Sequence, residues 1–171
     1  MNIIEYQVEA SRTCPSLGSE DLDILHMDLG IAAEVGELLD IFKKHIAYKK
    51  ELDKVHIGEE IADICWYTVN KARILEISLT KDITDKYFYK YISGNKPMLY
   101  DISEILLNYK LIGEINNLIS MLFGITQYFE LDFYKILDNN INKLRVRYPE
   151  KFTEENALNR NLKKERKELE K

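Results

Sequence analysis

The sequence predicts an all-α helical bundle. Gly and Pro are sparse, at 7 and 3 of 171 residues, which leaves few turns and favours long helices. Apolar residues recur at steps of three and four over long stretches, the spacing of one helix face. Hydrophobic residues make up 46% and charged residues 31%, a globular balance that suits a single domain spanning 1–171 with a sizeable core.

The elements follow in order. Ile3 to Arg12 forms a short helix ended by Thr13-Cys14-Pro15. Ser19 caps the next helix, and Glu20, Asp21 and Asp23 suit the positive end of its dipole. From there Leu22, Leu25, Leu29, Ala32, Val35, Leu39, Phe42 and Ile46 mark an inward stripe running to about Ala47. A second long helix spans about Asp53 to Leu75, with Val55, Ile61, Ile64, Cys65, Val69, Ala72 and Leu75 inward. The pattern then weakens from Ser78 to Leu99, around the breaker Ser93-Gly94-Asn95-Lys96-Pro97. A third long helix is expected from Asp101 to about Phe129. A fourth runs from Asp132 to about Arg147 and is stopped by Pro149. The tail from Asn156 to Lys171 reads as a charged helix, solvated or docked on a partner subunit. A faint repeat lays Glu60-Ile61-Ala62-Asp63 on Glu114-Ile115-Asn116-Asn117, with the second acid replaced.

Composition narrows the function. A net charge of −5 argues against nucleic acid, whose phosphates need a basic surface. Cys14 and Cys65 match no ligand spacing and read as free thiols of a reducing compartment. The start lacks a signal-peptide pattern, and no apolar run approaches the ~20 residues of a membrane span. A cytoplasmic protein is expected. His26, His45 and His56 show no di-iron pairing, and no Gly-rich phosphate loop, nucleophile elbow or Cys pair is present.

Four acids stand out. Glu34 and Glu37, then Glu60 and Asp63, are spaced i, i+3, so each pair occupies one helix face. Both pairs sit in apolar runs, and small residues (Ala32, Ala33, Gly36, Ala62) beside them would let two helices approach. Brought together, the carboxylates repel by roughly 1 kcal/mol per close pair in water and more inside a protein. No neighbouring cluster of Arg or Lys offsets them. A hard divalent cation with oxygen ligands is the natural partner, magnesium or else manganese. Acids on a solvated helix surface are the plain alternative.

Glu34-x-x-Glu37 followed by Glu60-x-x-Asp63 and Trp66-Tyr67 resembles the signature of the MazG-like all-α nucleoside triphosphate pyrophosphohydrolases. Tyr6-Gln7 with Arg12-Thr13, the Lys43-Lys44 pair, Asn140-Ile141 with Lys143-Leu144, Arg147-Tyr148-Pro149, Phe152 and Asn159-Arg160 extend the resemblance over most of the chain. Two features depart from it. Ala62 stands where the family usually has Gly, and about 80–127 is an extra inserted helical segment.

The resemblance implies a fold of the all-α pyrophosphohydrolase type and assembly as a homodimer or higher homo-oligomer. It implies that Glu34, Glu37, Glu60 and Asp63 hold magnesium and serve catalysis. A nucleoside triphosphate would be split into monophosphate and pyrophosphate by an activated water. Lys43, Lys143 and Arg147 become candidate phosphate ligands, with a solvated helix face as the equal reading for each. Gln7, Trp66 and Asn140 become candidates for base or sugar contacts, although Trp66 and Tyr67 serve equally well as core. The rival reading is a catalytically silent regulatory or assembly module that keeps the fold.

Overall fold

The computed structural model describes residues 1–92, 94 and 98–171. Most of the predicted breaker (Ser93, Asn95, Lys96 and Pro97) lies outside the described residues. Among those described, the chain is helical and carries no strand, so the all-α expectation holds.

Helix α1 (Ile3–Ser11) opens with a capping box. Asn2 Oδ1 accepts from the Ile4 and Glu5 amides, and Glu5 accepts from the Asn2 amide. Helix α2 (Glu20–Tyr48) is capped by Ser19 as expected, and ends where Lys49 turns left-handed at φ +58°. Helix α3 (Lys54–Ile74) is capped by Asp53, which accepts from the Val55 and His56 amides. The short connection between them folds α3 back along α2, and this antiparallel pair is the spine of the bundle. Gly30 makes the close approach possible. A Cβ there would overlap the ring of Tyr67 on α3. Gly36, expected to do this job, faces open space.

The inward stripe of α2 also differs from expectation. Val35 and Phe42 are buried, but Leu22, Leu25, Leu29, Ala32 and Ile46 are exposed. The buried line is Met27, Gly30, Ile31, Val35, Leu38, Ile41 and Phe42. Two apolar stripes run side by side on this helix, and both satisfy the same periodicity. The glycine selects the one that seats α3. On α3 the expected inward residues from Ile61 to Ala72 are buried, whereas Val55 is partly covered and Leu75, at the helix end, is exposed.

Helix α4 (Lys86–Tyr91) lies on α6, where Phe88 fills the space that Gly124 leaves. The expected third long helix is two helices, α5 (Met98–Leu107) and α6 (Ile115–Tyr128), with a 3₁₀ turn at Tyr109–Ile112 between them. Asn108 Nδ2 bonds back to the Glu104 carbonyl at 2.8 Å, and Gly113 takes φ +84°, so the chain changes direction. That break lets α5 pack on α2 while α6 packs on α3. Helix α7 (Phe133–Arg147) begins at its Asp132 cap and packs on α1 and α3. The tail forms α8 (Glu154–Leu158) and α9 (Leu162–Leu169). Helix α9 docks on this chain's own α7, contrary to the solvated reading. No helix of the described residues is long and apolar enough to cross a membrane.

Candidate metal centre and adjoining cleft

The α2–α3 packing brings Glu34 of one helix against Glu60 and Asp63 of the other. One carboxylate oxygen from each lies within 4.8 Å of the others. Glu60 is 6% exposed. Burial, then the charges of Asp63, Glu34 and Glu59, push its pKa up to about 9. Glu34 is raised for related reasons, burial first and Asp63 second. A carboxylate oxygen of each glutamate lies within 4.8 Å of the other, and the charge of Glu34 helps to disfavour that of Glu60. Glu37 is one turn further along α2, exposed and outside this trio.

Asp63 is fixed from α7. Lys143 Nζ lies 2.6 and 2.8 Å from its two oxygens, and Asn140 Nδ2 donates to it at 2.6 Å. Asn140 is itself oriented by Tyr6 of α1, whose hydroxyl is 2.8 Å from Asn140 Oδ1 and 3.0 Å from the Ala62 carbonyl. Lys143 is 1% exposed and also meets Glu59 at 3.3 Å. The expectation of no offsetting base therefore fails for Asp63: Lys143 reaches it from a distant helix. Yet one ammonium faces Glu34, Glu59, Glu60 and Asp63, so negative charge remains in excess. A second group of ligand type, His56, Glu59 and Glu60, shares Glu60 with the first, and His56 Nε2 is 2.8 Å from Glu60 Oε1.

Beside the trio opens a cleft of about 380 Å³. Glu34 and Asp63 line it together with Arg147 and His26. Its aromatic walls are Trp66 and Tyr67, edge to face at 4.8 Å between centroids, and Tyr148 with Phe152, 5.4 Å apart. Trp66 is held by its Nε1, which donates to Thr13 Oγ1 at 3.1 Å. His26 Nδ1 is buried without a hydrogen-bond partner among the described residues.

The other predicted binding residues are placed differently. Gln7 donates to the Val69 carbonyl at 2.9 Å and ties α1 to α3. Lys43 is exposed, pairs with Asp40, and lines a separate groove between α2 and α5. Lys143 and Asn140 serve Asp63 instead of standing open to a phosphate or a base. Trp66 and Arg147 do reach the cleft. No site role was expected for Glu59, His56, His26, Tyr148 or Phe152. Glu59 stands next to Glu60, and Tyr148 and Phe152 fall within the resemblance, so these three had a signal in the sequence.

No family model, no curated protein and no solved structure matches this chain.

Proposed function

We propose that the protein is a magnesium-dependent nucleoside triphosphate pyrophosphohydrolase. The observation that carries this reading is the convergence of Glu34, Glu60 and Asp63, from two helices, at an aromatic cleft that also holds an arginine. The donor set is all oxygen, anionic in excess and partly buried, which fits a hard divalent ion. Magnesium held there would polarise the triphosphate and lower the pKa of a bound water.

The chain's own residues do the rest. Glu34 of α2 and Glu60 of α3 would hold the ion between them. Lys143 and Asn140 hold Asp63 in one orientation, so this ligand loses little freedom on binding. Arg147 meets phosphate oxygens, a task its planar fork suits. Trp66, Tyr67, Tyr148 and Phe152 take the flat base, and His26 Nδ1 gains in the ligand the partner it lacks. A carboxylate of the trio accepts the proton given up by the attacking water. The MazG-like resemblance agrees with this reading, and the free thiols Cys14 and Cys65 agree with a cytoplasmic setting.

One observation favours the rival, a silent module. Lys143 already supplies Asp63 with a cation. Turnover separates the two readings. A panel of canonical and modified nucleoside triphosphates should yield at least one that releases pyrophosphate with Mg²⁺ and none with EDTA. Orthophosphate as the product, or silence across the panel, would favour the module.

A further inference from the structure

The sequence of α9, Leu-Lys-Lys-Glu-Arg-Lys-Glu-Leu, describes a solvated helix, yet Glu165 in its middle is 2% exposed. A buried carboxylate needs partners, and two arginines provide them. Arg147 of α7 presents one edge of its guanidinium, Nη2 at 2.5 Å and Nε at 3.2 Å, and Arg160 adds a contact at 2.9 Å. Burial pushes the Glu165 pKa up, but these hydrogen bonds outweigh it and hold the carboxyl below its usual range. Arg147 remains charged despite burial, for the same reason.

The helix is fastened at other points too. Arg166 bonds both carboxylate oxygens of Asp53, the cap of α3, at 2.9 and 3.2 Å. Asn139 of α7 donates to the Leu169 carbonyl at 3.2 Å. So α9 is tied to the start of the helix that carries Glu60 and Asp63, and to the helix that carries Arg147 and Lys143. Arg147 Nη1 has no hydrogen bond to any described residue, and Arg147 lines the cleft next to Asp63.

We propose that Glu165 is a positioning residue. It grips one edge of the Arg147 guanidinium and leaves Nη1 for an anionic ligand in the cleft, which makes the C-terminal helix part of the binding site. The inference rests on the proposed function only in naming that ligand as the phosphate chain of a nucleotide. An arginine free to swing would spend conformational entropy on each binding event, and the carboxylate removes that cost in advance.

The test uses inorganic pyrophosphate with Mg²⁺ in calorimetry, so it needs no turnover, alongside KM and kcat for any nucleotide that is hydrolysed. Glu165→Gln should weaken pyrophosphate binding about tenfold, the size of one charge-assisted contact. It should raise KM more than it lowers kcat. Glu165→Asp, which keeps the charge, should recover part of the loss. Arg166→Ala loosens the other end of α9 without touching Arg147 and should bind pyrophosphate as the wild type does. Pyrophosphate affinity unchanged in Glu165→Gln would overturn the proposal. So would an Arg166→Ala protein as weak as Glu165→Gln, because the docked tail, and not the carboxylate, would then be responsible. Pyrophosphate binding that depends on Glu165 in a protein that hydrolyses no nucleotide would keep the positioning role and remove the enzymatic reading.

Discussion

Glu60 shows how much of this site is decided by single side chains. It is buried among like charges, and its pKa of about 9 means that the metal-free protein keeps a proton there which the unfolded chain gives up near the usual 4.5. The sign follows from linkage. The folded state binds more protons between those values, so this contribution to stability is present below about 4.5 and is lost as pH rises towards 9. Metal-free wild type should therefore lose melting temperature from about pH 5 to pH 9, and Glu60→Gln should lose less over the same range. Parallel melting curves would show that Glu60 is not held among uncompensated acids. Residues at this scale were legible only in part. The i, i+3 spacing identified Glu34, Glu60 and Asp63, because a spacing reports one face of one helix. It said nothing of Lys143 and Asn140 as the partners of Asp63, or of His26 in the cleft. Those relations run between helices, and a single strip of sequence does not carry them.

At the scale of elements, the helix ends were legible because caps are local chemistry. Ser19 accepts from an amide in the first turn that it was expected to cap, and Asp53 and Asp132, expected only as helix starts, cap theirs as well. Which face of α2 turns inward was not legible, since two adjacent stripes satisfy one periodicity. The break between α5 and α6 was also missed. Gly113 marked it, but a glycine inside a helical pattern is equally a tolerated defect. The glycines of α2 give a direct check. Gly30→Ala would put a methyl into the Tyr67 ring, which belongs to the cleft wall as well, and should destabilise by about 1–3 kcal/mol in urea titration. Gly36→Ala enters open space on the same helix and should stabilise by up to about 1 kcal/mol. Equal effects at the two positions would mean that α3 does not seat on α2 through Gly30.

At the scale of the molecule, the bundle turns scattered residues into one site. The α2–α3 pair assembles the acids, α1 and α7 orient Asp63 through Tyr6, Asn140 and Lys143, and α9 holds Arg147 at the cleft. The tail read as solvated or docked on a partner subunit because its contacts are polar, and hydrophobic periodicity does not register ion pairs. The central claim is that the acid trio and the aromatic cleft act together as one metal-dependent nucleotide site. Calorimetric binding of the α,β-imido analogue of a substrate found in the hydrolysis panel tests it most directly, with and without Mg²⁺, in wild type and Glu60→Gln. The account predicts that Mg²⁺ tightens binding by about tenfold or more in wild type, a coupling of roughly 1.4 kcal/mol, and that Glu60→Gln loses most of that gain while staying folded. The same Mg²⁺ dependence in both proteins would contradict it.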